Sequence, residues 1–456
     1  MRLVSRNPYT GQVMEEFESL NFETSVLETQ KSRRAFHSWK KMPVGERAES
    51  LRAISRRLRE QRKTLAETIT REMGKPVGQS LAEIEKCAWV TEYFAESSAK
   101  FLQRELIETD ALKSYITFDP LGVILGVMPW NFPFWQVFRF AIPALMAGNV
   151  CLLKHASNVP RTALKIEKLF QDSGAPDSVF KTLLIDSRVT LQLIERELVD
   201  GVSLTGSVAA GAQVASLAGR HIKKFVLELG GSDPFIVLED ADIPRTARMA
   251  LQARMINSGQ SCIAAKRCIV MAGVAAPFMD ALEEELKGVK MGDPMNAETA
   301  IGPLAKREFV EVLSGQLKDA EEKGARVVYG PPPPPGQGFF FRPAIVSHVR
   351  PDMRIVTEEV FGPILPVLIA PSKERLVEIA NDSPYGLGAS IWTRDLAEGE
   401  RLAGDLEAGF VAINDVVKSD PRLPFGGIKK SGIGRELSPY GMKEFVNIKS
   451  VVVKGA

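Results

Sequence analysis

Little in this 456-residue chain points to a metal, a disulfide framework, a membrane or a polyanion. Its four cysteines, Cys87, Cys151, Cys262 and Cys268, are spread out, with no Cys-x-x-Cys and no clustered histidine. That pattern argues against a disulfide scaffold and against a zinc site, so the expected metal content is none. Lysine and arginine (58) nearly cancel aspartate and glutamate (56), leaving a net charge of +2. No large field of one sign is available to hold nucleic acid or an anionic membrane, and any anion must be recognised locally. The N-terminus lacks the apolar core of a secretory signal, and no uncharged apolar run reaches the ~18 residues of a membrane span. A cytoplasmic location is the expectation. Nor is there an internal repeat with a period of roughly 20 to 50 residues.

What is present suits a globular enzyme: 45% hydrophobic and 25% charged residues, on a chain long enough for two or more domains. From about Asn21 to Leu106 apolar residues recur at three and four spacing among charges, which predicts helices with solvated faces. Beyond Tyr115 the texture changes to short apolar runs between Gly, Pro and Asn, as in "GVILGVMPW", "NVCLLKHA", "VSLTGS", "KFVLELGG" and "PFIVLED". Buried strands alternating with helices produce that rhythm, so the fold class is α/β with largely parallel sheets. A second α/β block, about Gly231 to Gly434, carries "RCIVMAG", "ARVVYG", "ILPVLIA", "GASIWT" and "GFVAIN". Two α/β units sharing a cleft is the simplest architecture. Pro331 to Pro335 and the following "GQG" read as a stiff surface loop.

Several stretches carry chemistry. "NSGQSCIAAKR" sets Cys262 behind Asn257, Ser258, Gly259, Gln260 and Ser261, a poor core segment and a good exposed turn. The thiol is filler on one reading and a nucleophile on the other. In "VMPWNFPFWQVF" Asn131 follows an apolar strand, where it either caps a turn or supplies a rigid N–H to an oxyanion. "VSLTGSVAAG" places Gly206, Ser207 and Gly211 at a strand-to-helix junction, a phosphate cradle or a plain tight turn. In "VLELGGSDPFIVL" Glu228 ends an apolar strand, as a solvated end or as a base with raised pKa. "TEEVFGPILPV" carries Glu359 and Phe361 into a Gly-Pro turn.

The combination is far more specific than its parts. Pro129 to Pro133, Glu228 to Gly231, Gly259 to Cys262, Glu359 to Pro363 and Pro424 to Gly427 follow the order of the aldehyde dehydrogenase superfamily, and the resemblance spans nearly the whole chain. It implies a Rossmann-type cofactor domain (1–103 and 120–228), an α/β catalytic domain (229–438) and a small oligomerisation sheet (104–119 and 439–456). It also implies Cys262 as nucleophile, Asn131 as oxyanion donor and Glu228 as the base for deacylation through a thiohemiacetal and a thioester. Cofactor contacts fall on Trp130, Lys154, Ser157, Gly206, Ser207, Glu359 and Phe361. Members that prefer NAD often carry Glu where Ser157 stands; without that carboxylate a 2′-phosphate is accepted, so NADP is expected, with NAD weaker. "LKHASNVP", "GQSCIAAKR" and "KSDPRLPFGGIKKSGIGREL" look most like the bacterial succinate-semialdehyde dehydrogenases. Arg139 and Ser419 are then expected to hold a distal carboxylate, with Lys418 and Arg422 toward the same side; alternatively Arg139 is a structural ion-pair partner. The resemblance implies a homodimer or homotetramer. Another small aldehyde, such as glutarate semialdehyde, or a non-redox thiol acyl hydrolase are the alternative functions.

Overall fold

The computed structural model describes residues 2–336 and 338–455. Helix-periodic apolar positions near the N-terminus form four helices, Phe22–Trp39, Val44–Glu60, Arg62–Met73 and Val77–Phe101. Asn21 caps the first by accepting from the Thr24 N–H, and Gly74 ends the third with φ 85°. In the second, Leu51, Ile54 and Leu58 make the buried stripe that packs on the fourth helix.

The apolar runs become strands of two sheets. The first has the order Gly432–Ile433, Lys224–Glu228, Gly201–Thr205, Val123–Met128, Val150–His155 and Phe180–Thr182. All pairings are parallel except that of Gly432–Ile433, which comes from within the range expected for the catalytic domain. The second sheet runs Arg326–Tyr329, Ala344–Ser347, Ile364–Ala370, Arg267–Met271, Pro234–Val237, Gly388–Trp392 and Phe410–Ile413. It is parallel apart from the Arg326–Tyr329 edge. Helices cover the sheet faces, so strands such as Arg267–Met271 and Gly388–Trp392 are buried at every residue, which is why they read as continuous apolar runs. Cys268 is one of these core residues, opposite Phe235 and Val367, and burial pushes its thiol pKa up.

A third sheet pairs Lys113–Pro120 with Glu105–Ile107 on one side and Val446–Val453 on the other, both antiparallel. Leu106, Ile448 and Val452 stand exposed on its outer strands. The proline run has neither helix nor strand among its described residues, with Gln337 of the "GQG" outside them. Among the described residues no helix is long and apolar enough to cross a membrane.

Candidate active site

The turn before Cys262 is built differently from the sequence expectation. Residues 257 to 261 are buried, because distant segments satisfy their polar groups. Asn257, Ser258 and Gly259 follow the helix Ile243–Met255 with three consecutive positive φ values, 53°, 56° and 78°. Such conformations persist in non-glycine residues only when the surroundings over-determine them. Here the Asn257 amide donates to the Asn131 carbonyl (2.7 Å), and its backbone N–H donates to Gln79 Oε1 (2.7 Å). Ser258 Oγ donates to the Gly302 carbonyl (3.0 Å), and Gln260 Oε1 accepts from the Ala305 N–H (2.9 Å). A Cβ on Gly259 would lie 2.3 Å from the Gly362 carbonyl carbon, and one on Gly231 2.7 Å from the Cys262 carbonyl oxygen. The "GQSC", "VFGP" and "LGG" stretches are therefore packed backbone to backbone. Cys262 itself stays partly exposed.

Asn131 sits in the turn between the strand Val123–Met128 and the helix Trp135–Met146, and its Nδ2 donates to the Gln260 carbonyl (3.1 Å). Two devices hold that turn. Glu83 accepts from the Phe134 and Trp135 N–H groups (2.8 and 3.0 Å), capping the helix, while buried Lys75 pairs with Glu83 and lies 3.8 Å over the Phe132 ring. On the other side His155 Nε2 donates to the Pro133 carbonyl (2.9 Å), and its Nδ1 accepts from the Ala156 N–H (2.9 Å).

Glu228 ends its strand 3% exposed, with Oε2 3.7 Å from Arg139 Nη2 and no hydrogen-bond partner for Oε1 among the described residues. Burial pushes its pKa well up, against the opposing charge of Arg139. Arg139 also pairs with Glu436, whose Oε1 accepts from Ser203 Oγ (3.2 Å), and its guanidinium lies 4.7 Å over the Phe425 ring. So Arg139 faces two carboxyl groups in addition to any ligand. Burial pushes the Cys262 thiol up to about 11, with Lys266 and then Arg139 working against it. Burial thus favours the neutral thiol at Cys262.

Lys266 was not foreseen from the sequence. Its side chain is 1% exposed, and the ammonium donates to the Cys262 carbonyl (2.7 Å) and to Glu359 Oε1 (2.8 Å), joining the Cys262 turn to Glu359. Glu359 Oε1 also accepts from the Gly231 N–H (3.2 Å). Behind them Asp233 has its carboxyl pushed up by burial to about 7. Glu436 was missed as well; "GRE" in "SGIGREL" gives no periodic signal that its carboxylate turns inward.

The expected cofactor residues come from several elements. Trp130 stands edge-on to Phe361, with ring centroids 5.8 Å apart, and stacks on Phe309 at 4.9 Å. Ser207 caps the helix Val208–Arg220 by accepting from the Ala210 N–H (3.3 Å), and a Cβ on Gly206 would meet nothing closer than 3.7 Å. Backbone N–H groups at this helix start are thus open to an anion. Lys154 is the penultimate residue of the strand Val150–His155, its pKa lowered by burial. Ser157 lines a cavity of about 550 Å³ together with Arg2, Arg6, Lys306 and Arg307. Glu72 and Glu308 line it too, so its cations outnumber its carboxylates by four to two, and with no carboxylate at position 157 it fits a dianionic phosphate beside a ribose.

The remaining residues are divided. Ser419 is buried and accepts from Lys86 Nζ (2.8 Å). Lys418 and Arg422, expected toward the same side, are instead exposed and pair with Asp415 (2.5 Å) and Asp420 (2.6 Å), because each has a carboxylate two or three residues away.

Comparison with known proteins identifies the family of the chain. The model of the aldehyde dehydrogenase family matches residues 2–451. A Synechocystis protein named "Probable succinate-semialdehyde dehydrogenase", NADP(+) type, is 45% identical over 451 residues, covering 99% of either chain. An Escherichia coli K12 succinate semialdehyde dehydrogenase, NAD(P)+ type, is 41% identical over 448 residues, 98% of this chain and 97% of that one. The crystal structure of succinic semialdehyde dehydrogenase from Streptococcus pyogenes in complex with NADP+ superposes with a TM-score of 0.97 at 36% identity, covering 99% of this chain and 100% of that chain.

Proposed function

We propose, for a chain that belongs to the aldehyde dehydrogenase family, oxidation of succinate semialdehyde to succinate with NADP as the preferred acceptor. The observation that carries this reading is the convergence of Cys262, Asn131 and Glu228 at the ends of elements from both sheets, with a cavity at Ser157 whose lining holds four cationic and two acidic side chains.

The steps follow from the side chains. Loss of the Cys262 proton to a base gives the thiolate that attacks the aldehyde carbon. Asn131 Nδ2, within hydrogen-bond reach of the turn that carries Cys262, donates to the developing oxyanion together with the Cys262 N–H. Lys154, Ser157, Gly206, Ser207, Glu359, Trp130 and Phe361 would hold the cofactor. The chemistry that bound NADP supplies is two-electron acceptance, which turns the Cys262 thiohemiacetal into a thioester. Glu228, its pKa raised by burial and its Oε1 unpaired, takes a proton from the water that hydrolyses the thioester. Release of the acid returns the thiol. Arg139, carrying a guanidinium nitrogen, Nη1, without a protein hydrogen bond among the described residues, and Ser419 are the groups we assign to the substrate's distal carboxylate.

Two further elements belong to the proposal. The apolar side chains on the outer strands of the third sheet suit burial in a homodimer or homotetramer, since an exposed edge of this kind invites pairing. The four free thiols suit the reduced state of the cytoplasm.

The test is initial-rate reduction of NADP and of NAD with succinic semialdehyde and with an uncharged aldehyde of equal length, in the wild type and in Cys262→Ala. The acid with NADP should give the highest kcat/KM, and the variant should form no reduced cofactor. Equal rates with both aldehydes would remove the semialdehyde assignment; turnover by the variant would remove the mechanism.

A further inference from the structure

A substrate acid needs net positive charge at the far end of its site, and Arg139 is a poor sole source of it. Its guanidinium already faces Glu436 and Glu228. An incoming carboxylate there would be a third acidic group on one cation. The neighbouring cation is Lys86, on the helix Val77–Phe101. Its ammonium donates to Ser419 Oγ (2.8 Å) and lies 4.3 Å over the Trp135 ring, one turn before Arg139 on the next helix.

The charges around Lys86 leave it without a carboxylate of its own. Glu83, on its own helix, is taken by Lys75 and by two backbone N–H groups. Asp420, beside Ser419, is held by Arg422. Cys87 is a buried thiol on the same helix, and Arg139 faces Lys86 with like charge. Because Ser419 accepts from Lys86, the serine's own proton remains free to be donated onward.

We propose that Lys86, with Ser419 and the face of Trp135, forms the cationic end of the substrate site and receives the distal carboxylate, so that Lys86 sets selectivity for acid aldehydes. This rests on the semialdehyde reading above. Burial and the nearby Arg139 push Lys86 down to about 8, so a bound carboxylate would favour its charged form, and selectivity for the acid should fade as the lysine deprotonates.

The experiment measures kcat/KM for succinic semialdehyde and for the uncharged aldehyde of equal length in the wild type, Lys86→Met and Lys86→Arg. The expected result is a wild-type preference for the acid that falls by about tenfold or more in Lys86→Met, through a raised KM for the acid, and is largely kept in Lys86→Arg. A wild type with no preference overturns the semialdehyde reading itself. A wild-type preference that survives in Lys86→Met overturns this inference alone. A pH series decides the matter independently of how the variants fold. Wild-type acid selectivity should fall between about pH 7 and 9.5 as Lys86 titrates. Selectivity that stays flat across that range overturns the assignment.

Discussion

Asn131 and Gln260 are joined by a single hydrogen bond, side-chain amide to main-chain carbonyl, at 3.1 Å. It ties Asn131, the proposed oxyanion donor, to the turn that carries Cys262, the proposed nucleophile, two residues later. Replacing Asn131 with Ala removes both the donor and the tie. We expect kcat to fall by about 10² to 10³, the usual loss of one oxyanion donor. Alkylation of Cys262 by iodoacetamide, which needs no oxyanion, should slow far less. Equal losses in both assays would mean that Asn131 serves only to hold the turn.

Glu228→Gln keeps the shape of the side chain and removes its basicity. If Glu228 acts on the water that cleaves the thioester, rapid mixing should show a first-turnover burst of NADPH followed by steady-state turnover slowed by about 10² to 10⁴. A variant that turns over normally after the burst would assign deacylation to another group.

Ser157→Glu places a carboxylate against the cavity that carries Arg2, Arg6, Lys306 and Arg307. It should repel a 2′-phosphate and bind ribose hydroxyls, so the NADP to NAD ratio of kcat/KM should fall by roughly tenfold or more. An unchanged ratio would move phosphate recognition away from this position.

His155 gives a pH dependence of stability with a definite sign. Burial lowers its pKa from 6.5 to about 4, and both ring nitrogens are used in the neutral form. Protonation would place a hydrogen on Nδ1, where the Ala156 N–H now points. A depressed folded-state pKa gives stability that is present above the unfolded value of 6.5 and lost as pH falls toward 4. The loss is roughly 3 kcal/mol at about 1.4 kcal/mol per pH unit. Urea unfolding at pH 7.5 and pH 4.5 should therefore show a smaller difference in His155→Gln than in the wild type; matching differences would exclude His155 as the origin.

The two sheets were legible because parallel strands buried on both faces leave continuous apolar runs, as at Ile364–Ala370. Strands that escaped notice had little to show. Phe180–Thr182 has three residues, and Val13–Glu18 half-buries only Met14 and Phe17 among exposed positions, on a small antiparallel hairpin with Arg2–Arg6. Cys262, Asn131 and Glu228 were legible as motif members. The charged residues that serve them were not: Lys75, Lys86 and Lys266 sit among charges or polar residues and look in sequence like solvated faces. What turns them inward is a partner elsewhere in the chain, 333 residues away for Lys86 and Ser419 and 93 for Lys266 and Glu359. The same distance effect misled the reading of residues 257–261 as exposed. Asn257 finds its partner 126 residues upstream, a pairing that local polarity does not encode.

The left-handed run through Asn257, Ser258 and Gly259 bears on when the protein becomes reactive. Its supports come from Gln79 and Asn131, well before it in the chain, and from Gly302 and Gly362, well after it, so no local segment can stabilise it alone. Until the two sheets have met, Cys262 therefore lacks both the ordered turn and the Asn131 amide tied to it. Docking raises the thiol's pKa while it sets the Asn131 amide beside it, so an incomplete chain carries the thiol without the site that would use it.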